Sequence, residues 1–262
     1  MNDSSTDMLM KPLLIIIFSF FLLFLGSANA QSVDSLLQLA QQYEENWEEV
    51  NALETYNKIL DQDSDYFRAL WKASLMYSRE GRRLDDEDKQ KEYFNSGKDL
   101  AEKAIEVAPD SADGYYVMGV AMGRMALISG AKARVAASRA IKENAEKALE
   151  IDPNHAGAWH LLGRWHQKVA NLSFVERIAA NTLFGGIPKA SEEEAEEAFL
   201  KAIENDPDFI LYHRDLANLY YHDMEKENKA LEHAQKALEL SESQFDDARY
   251  KEEMQELVKK IK

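Results

Sequence analysis

Apolar and small residues recur every three to four positions through nearly all of the chain after residue 33, which is the spacing of one buried face of an α-helix. The pattern breaks at matching phrases. AIEVAPD ends at Asp110, ALEIDPN at Asn154 and AIENDPD at Asp208. Each follows an Ala-rich stretch and precedes another periodic one. Proline cannot continue a helix but is tolerated in the first turn of the next, so each phrase predicts a joint between two helices. After the joints come Tyr115-x-x-Met118-Gly119-x-x-Met122, Trp159-x-x-Leu162-Gly163-x-x-His166 and His213-x-x-Leu216-Ala217-x-x-Tyr220. Leu39-Ala40-x-x-Tyr43 and Ala73-Ser74-x-x-Tyr77 fit the same scheme, with a small residue between large ones. The helices that follow carry Ala52/Tyr56/Ile59, Gly97/Ala101/Ala104, Ile141/Ala145/Ala148, Ala195/Phe199/Ala202 and Ala230/Ala234/Ala237. Small residues at these positions let paired helices approach closely, and the large ones fill the space between pairs.

The phrasing W-x-x-L-G-x-x-Y in a unit of about 34 residues is that of the tetratricopeptide repeat. The implied fold is all-α: a right-handed α-solenoid of about five helix pairs. Its units are 33–66, 67–111, 112–155, 156–209 and 210–244, followed by an amphipathic, solvent-facing capping helix over 245–262 with Phe245, Met254, Leu257 and Ile261. Units two, three and four exceed the usual length by about 11, 10 and 20 residues. Only Gly130 interrupts the third, which predicts two lengthened helices. In the fourth, Ser173-x-x-Glu176 reads as a capping box opening an additional short helix with Val175, Ile178, Ala179, Thr182 and Leu183 on one face. Gly185-Gly186 ends it, and Ser191-x-x-Glu194 opens the next helix.

The phrase IKENAEKALEIDPNHAGAWHLLGRW…FVERIAANTLFGGIP, together with the unequal units, resembles the regulator of microtubule dynamics family over residues ~67–240. Its more specific features are the long third unit, Glu176-Arg177 with Ile178-Ala179, and Leu183-Phe184-Gly185. The resemblance implies a repeat domain associated with microtubules and, in anchored members, with organelle contact sites. Both roles require the cytosol.

The first thirty residues read as an address. Leu13–Leu25 is apolar except for Ser19, is preceded by Lys11 and followed by GSANA, and is shorter than a spanning helix requires. A signal peptide cleaved after Ala30 would export the protein to a periplasm or the exterior, while an uncleaved anchor over residues 13–25 is the alternative. Asp3 and Asp7 sit where a leader expects positive charge, so Met8 is a second candidate start to Met1. Absence of cysteine excludes disulfides, thiolate metal sites and thiol nucleophiles.

The net charge of −16 argues against duplex nucleic acid and anionic membranes as partners of the molecule as a whole, but it is an average. In tetratricopeptide proteins one stripe of each first helix faces the hollow of the superhelix. Here the stripes are Trp71, Leu75, Ser78 and Arg79; Tyr116, Val120, Gly123 and Arg124; His160, Arg164, Gln167 and Lys168; and Arg214, Asn218, Tyr221 and His222. They hold five bases and no acid, and residues 114–142 likewise hold five bases and no acid. The candidate ligand-binding groove is therefore Trp71, Arg79, Tyr116, Arg124, His160, Arg164, Gln167, Lys168, Arg214, Asn218 and Tyr221. Trp71 lies on the open face, and the positive character fades toward Asp34, Glu44 and Glu45. Two readings stay open: recognition of an anion, or pairing of these bases with acids on second helices such as Glu146 or Glu150.

Other constellations give less. Asp61–Asp65 opens like a calcium loop, but Tyr66 and Lys72 stand where Gly and Glu are required. His155, His160 and His166 lack the companions of a metal centre, Gly119-x-x-x-Gly123 lacks the Lys-Ser/Thr of a phosphate loop, and Trp159 and Trp165 read as packing residues. No serine, histidine and acid grouping suggests catalysis, and no cofactor or metal is expected. The leading reading is a non-enzymatic exported scaffold holding an acidic peptide or protein terminus. The alternatives are a carrier of an anionic lipid, with helix 173–184 as a roof over the hollow, and a microtubule-associated protein if the chain is cytosolic.

Overall fold

The computed structural model describes residues 31–183 and 185–262. The leader read at residues 1–30 and the anchor alternative at 13–25 lie outside the described residues. The regular structure is twelve α-helices and one π-helical turn, with no strand among the described residues. In chain order they are α1 Val33–Glu45, α2 Glu49–Gln62, α3 Phe67–Arg83, α4 Glu87–Val107, α5 Ala112–Leu127, α6 Ala131–Ile151, α7 Ala156–Ala170, α8 Phe174–Leu183, α9 Glu192–Asn205, α10 Ile210–Asn218, the π-turn Leu219–Asp223, α11 Glu227–Glu239 and α12 Asp247–Ile261. No described helix is long and apolar enough to cross a membrane.

Local chemistry sets the helix ends. Ser173 and Glu176 form the reciprocal capping box, with the Ser173 N–H donating to the Glu176 carboxylate at 2.9 Å and the Glu176 N–H donating to Ser173 Oγ at 3.3 Å. The Glu194 N–H donates to Ser191 Oγ at 3.2 Å. His155 caps α7 through its ring nitrogen, 3.0 Å from the Ala158 N–H. Asp63 Oδ1 accepts from the Asp65 N–H, so the acidic run Asp61–Asp65 serves as a joint. The long third unit is built from α5 and the 21-residue α6, and Trp165 of α7 donates to the Ser138 carbonyl of α6 at 2.7 Å.

Helices pack in antiparallel pairs (α1 with α2, α3 with α4, α5 with α6, α7 with α9, α10 with α11), and successive pairs stack. First helices also touch the first helix ahead: α3 meets α5, α5 meets α7, and α10 meets α12. The pair interfaces are lined by fully buried alanines, including Ala101, Ala104, Ala145, Ala148, Ala195 and Ala202. Gly163 shows why small residues are needed. A Cβ built there would stand 2.7 Å from the Phe199 ring, well inside contact distance. Gly119 faces the movable end of Leu161 at 2.6 Å and is less tightly constrained. The core therefore runs as a continuous seam of small-on-large contacts along an α-solenoid, and every core cluster lies within residues 33–261.

Curvature brings the end of α3 to the segment just before α12. Arg83, at the end of α3, donates to Asp246 at 2.8 Å, across 163 residues of sequence, and its guanidinium lies 4.4 Å above the Phe245 ring. The final helix expected within 245–262 is α12, with one face packed and the other exposed. Helix α12 buries Met254 and Leu257 against α10 and α11 and turns Tyr250 and Glu253 toward Arg214. It occupies the place of one more first helix.

Candidate ligand-binding face

The concave face is assembled from one stripe of each first helix, whose opposite stripes are fixed in the core. Its dominant feature is Asp215, a fully buried carboxylate one residue after Arg214 on α10. Asp215 Oδ2 lies 2.8 Å from His160 Nε2 and accepts from Arg164 at 3.0 Å, and Oδ1 accepts from Arg214 at 2.5 Å. Burial alone would raise its pKa. The Arg164 charge, the His160 hydrogen bond and the Arg214 charge outweigh that and hold the carboxyl far below its ordinary range. Burial keeps the His160 ring below its ordinary value despite the carboxylate beside it, so near neutrality it completes the shell of Asp215 as a neutral donor. No hydroxyl is hydrogen-bonded to His160 among the described residues.

The other bases are treated similarly. Arg79 donates to Glu49 at 2.7 Å; Arg83 reaches Glu49, Glu80 and Asp246; Arg214 also pairs with Glu253. The hollow is thus a lattice of guanidiniums and carboxylates, in which most of the expected bases are paired as the ion-pairing alternative supposed. Glu146 and Glu150, the acids considered as partners, pair instead with Lys142 and Lys147 on their own helix. The acids that do the pairing stand at the start of α2, beside Arg214, and on and just before α12.

Arg124 is different. Its Nε donates to the Ser78 carbonyl at 3.0 Å, and no carboxylate lies within ion-pair distance of it among the described residues. Burial lowers its pKa to about 10, and the nearby charges of Arg82 and Arg164 push the same way. Tyr116, itself raised by burial, and Tyr250 stand close enough to oppose that shift. A half-buried guanidinium flanked by like charge is stabilised when an anion completes it. The chemistry available here is the binding of an acceptor-rich anionic group, by Arg124 together with the half-exposed Arg164.

The remaining predicted residues divide. Tyr116 lies between the hollow and the core, its ring 4.9 Å from that of His155. Trp71 is half-buried beside Val117 and Tyr116 with Lys72 over its ring, so it packs the α3/α5 seam instead of standing on the open face. Gln167 is at the rim, donating to Asp223 at 2.6 Å. Lys168 is exposed at the α8 side, where its charge acts on Glu176. Asn218 is half-buried. The π-turn at Leu219–Asp223 adds a residue to the helical register, so Tyr221 packs against the core beside Ala217 and Leu216 while His222 is exposed. The expected stripe Arg214, Asn218, Tyr221, His222 therefore ends at Asn218. Near the N-terminus Glu44 is engaged by Lys72 and Tyr56. The residues that sequence reasoning missed are Glu49, Arg82, Arg83, Asp215, Tyr250 and Glu253. Only Asp215 had a local signal, its adjacency to Arg214.

Stacked helix pairs with small-on-large seams and a polar concave face define a tetratricopeptide-repeat protein. The solved structure of a thermophilic tetratricopeptide protein of Thermus thermophilus superposes with a TM-score of 0.66 at 16% identity, covering 87% of this chain and 99% of that one. The sequence model of the family described as regulator of microtubule dynamics protein 1-3 matches residues 32–262, and the chain belongs to that family. Regulator of microtubule dynamics protein 3 of Rattus norvegicus is 29% identical over 88% of this chain and 50% of its own length. Regulator of microtubule dynamics protein 2 of Homo sapiens is 28% identical over 76% and 48% respectively. The chain spans about half the length of the curated relatives it matches.

Proposed function

We propose that this chain is a non-enzymatic scaffold that holds an acidic peptide or protein terminus against its concave face, with the carboxylate seated on Arg124 and Arg164. The observation that carries this reading is Arg124: among the bases of the hollow it is the half-buried one with no ion-pair carboxylate among the described residues. Tyr116 and Tyr250 beside it would supply apolar contact to the residue bearing the anion. The repeat fold supports protein binding in general. An anionic lipid carried under helix 173–184 fits less well, because the apolar side chains of that helix are turned to solvent.

The test is a fluorescence-anisotropy titration with a labelled oligoglutamate peptide ending in a free carboxylate. Arg124→Gln with Arg164→Gln is expected to weaken binding at least about tenfold, as the loss of charge-assisted hydrogen bonds requires. Unchanged binding removes the proposal. The names of the relatives add microtubules as a candidate partner, checked by co-pelleting with polymerised tubulin. Export after Ala30 belongs to the same proposal, and a mature N-terminus at Gln31 is its expected result. A retained N-terminus would place the scaffold on a membrane anchor instead.

A further inference from the structure

We propose that α8 is a membrane-docking helix that seats the protein on a lipid surface rich in anionic headgroups. The inference is independent of the concave-face reading. Helix α8 is held along one side only. Ala180 is buried, and Arg177 donates to the Val169 and Ala170 carbonyls at 2.9 and 3.2 Å, fixing the helix to the end of α7. Arg139 of α6 donates to the Gly186 carbonyl at 2.9 Å and fixes the far end. The opposite arc carries Phe174, Val175, Ile178 and Leu183, exposed by 77%, 74%, 48% and 69%. Four large apolar side chains on one short, anchored helix form a patch of the kind that marks an interaction site.

Charge identifies the occupant. The protein carries −16 overall, yet residues 165–189 hold Lys168, Arg177 and Lys189 against the single acid Glu176, and the adjoining stretch 125–142 has Lys132, Arg134, Arg139 and Lys142 and no acid. The one acid is spent on the capping box, and Lys168 and Arg134 both act on it electrostatically. Lys132, Arg134, Lys168 and Lys189 are exposed. An apolar arc beside bases is the pattern of a helix lying in the interface plane, with its side chains about 5–10 Å into the headgroup boundary. Ten residues span about 15 Å, too short to cross a bilayer but long enough to lie in it. A second copy of the chain would bring the same bases face to face, whereas anionic lipid neutralises them.

The experiment uses the chain from Gln31, which contains every described core cluster and omits the apolar run at 13–25. Flotation is measured with vesicles of phosphatidylcholine alone and of phosphatidylcholine mixed equally with phosphatidylglycerol. The protein is expected to float with the anionic vesicles and to partition at least about tenfold less onto the neutral ones, with high salt reversing the difference. Phe174→Ser with Ile178→Glu removes flotation, Lys132→Gln with Arg134→Gln lowers it toward the neutral-vesicle level, and Leu200→Glu, an exposed apolar residue on α9, leaves it unchanged. All three substitute exposed positions, and circular dichroism confirms the fold of each. Failure to float with either vesicle, or flotation indifferent to Phe174 and Ile178, overturns the proposal. So does a protein partner captured through α8 without any flotation.

Discussion

Replacing Asp215 by Asn removes a charge while keeping the shape of the side chain. The carboxylate is 2% exposed and bound by Arg214, Arg164 and His160. Stripping one partner from a buried ion pair costs about 3–5 kcal/mol. Two features reduce that here: Arg164 is half exposed and regains water, and Arg214 keeps Glu253. The expected loss is therefore about 2–3 kcal/mol. For a domain of this size, each kcal/mol corresponds to about 2–4 °C, which places the melting temperature of Asp215→Asn about 4–12 °C below the parent. Thermal unfolding followed by circular dichroism measures it at neutral pH. The pH dependence gives a second arm. The folded carboxyl lies far below the ordinary value of 3.8, so its contribution is complete above that value and is lost as pH falls through the folded one. The gap between parent and variant should hold across about pH 5–7 and narrow in stronger acid. A melting shift under about 2 °C at neutral pH would show that the bases of the hollow are not organised by this carboxylate.

Other outcomes follow from packing, capping and titration. Gly163→Ala should cost about 1–3 kcal/mol in urea unfolding, because its Cβ meets the Phe199 ring inside contact distance. Ser191→Ala should cost about 1 kcal/mol by removing the cap on the Glu194 N–H, with Ser191→Asn restoring most of it. His233, stacked on His213 with Glu232, Lys229 and Glu196 around it, is held down to about 4 by burial and then by the charge of His213. Its contribution is full above the unfolded value of about 6.5 and is lost as pH falls through 4. The urea midpoint of His233→Gln should therefore depend less steeply on pH across that window than the parent's.

The helical fold was legible because its determinants are local. The joints at Pro109, Pro153 and Pro207, the caps at Ser173 and Ser191, and the small residues Gly119 and Gly163 each act within a turn or a neighbouring helix. The hollow was only half legible. First-helix stripes brought forward Arg79, Arg124, Arg164 and Arg214, but the neutralising partners lie on other helices: Glu49 for Arg79, Glu253 for Arg214, with Asp246 for Arg83. Glu49 and Glu253 are brought in by packing of neighbouring helices, and curvature of the whole superhelix, which no single repeat encodes, makes the Arg83–Asp246 contact. The π-turn broke the register at Tyr221, a one-residue event invisible to a periodicity argument.

Everything proposed for the concave face depends on Arg124 seating an anion. Isothermal titration of the oligoglutamate peptide into the Arg124→Gln variant isolates that step, since this substitution breaks no ion pair among the described residues and leaves the carboxylate lattice in place. The expected outcome is an unchanged melting temperature or a slightly higher one, and a dissociation constant at least about tenfold weaker than the parent's. Parent-like affinity in a folded Arg124→Gln protein would contradict the seating of the anion on Arg124.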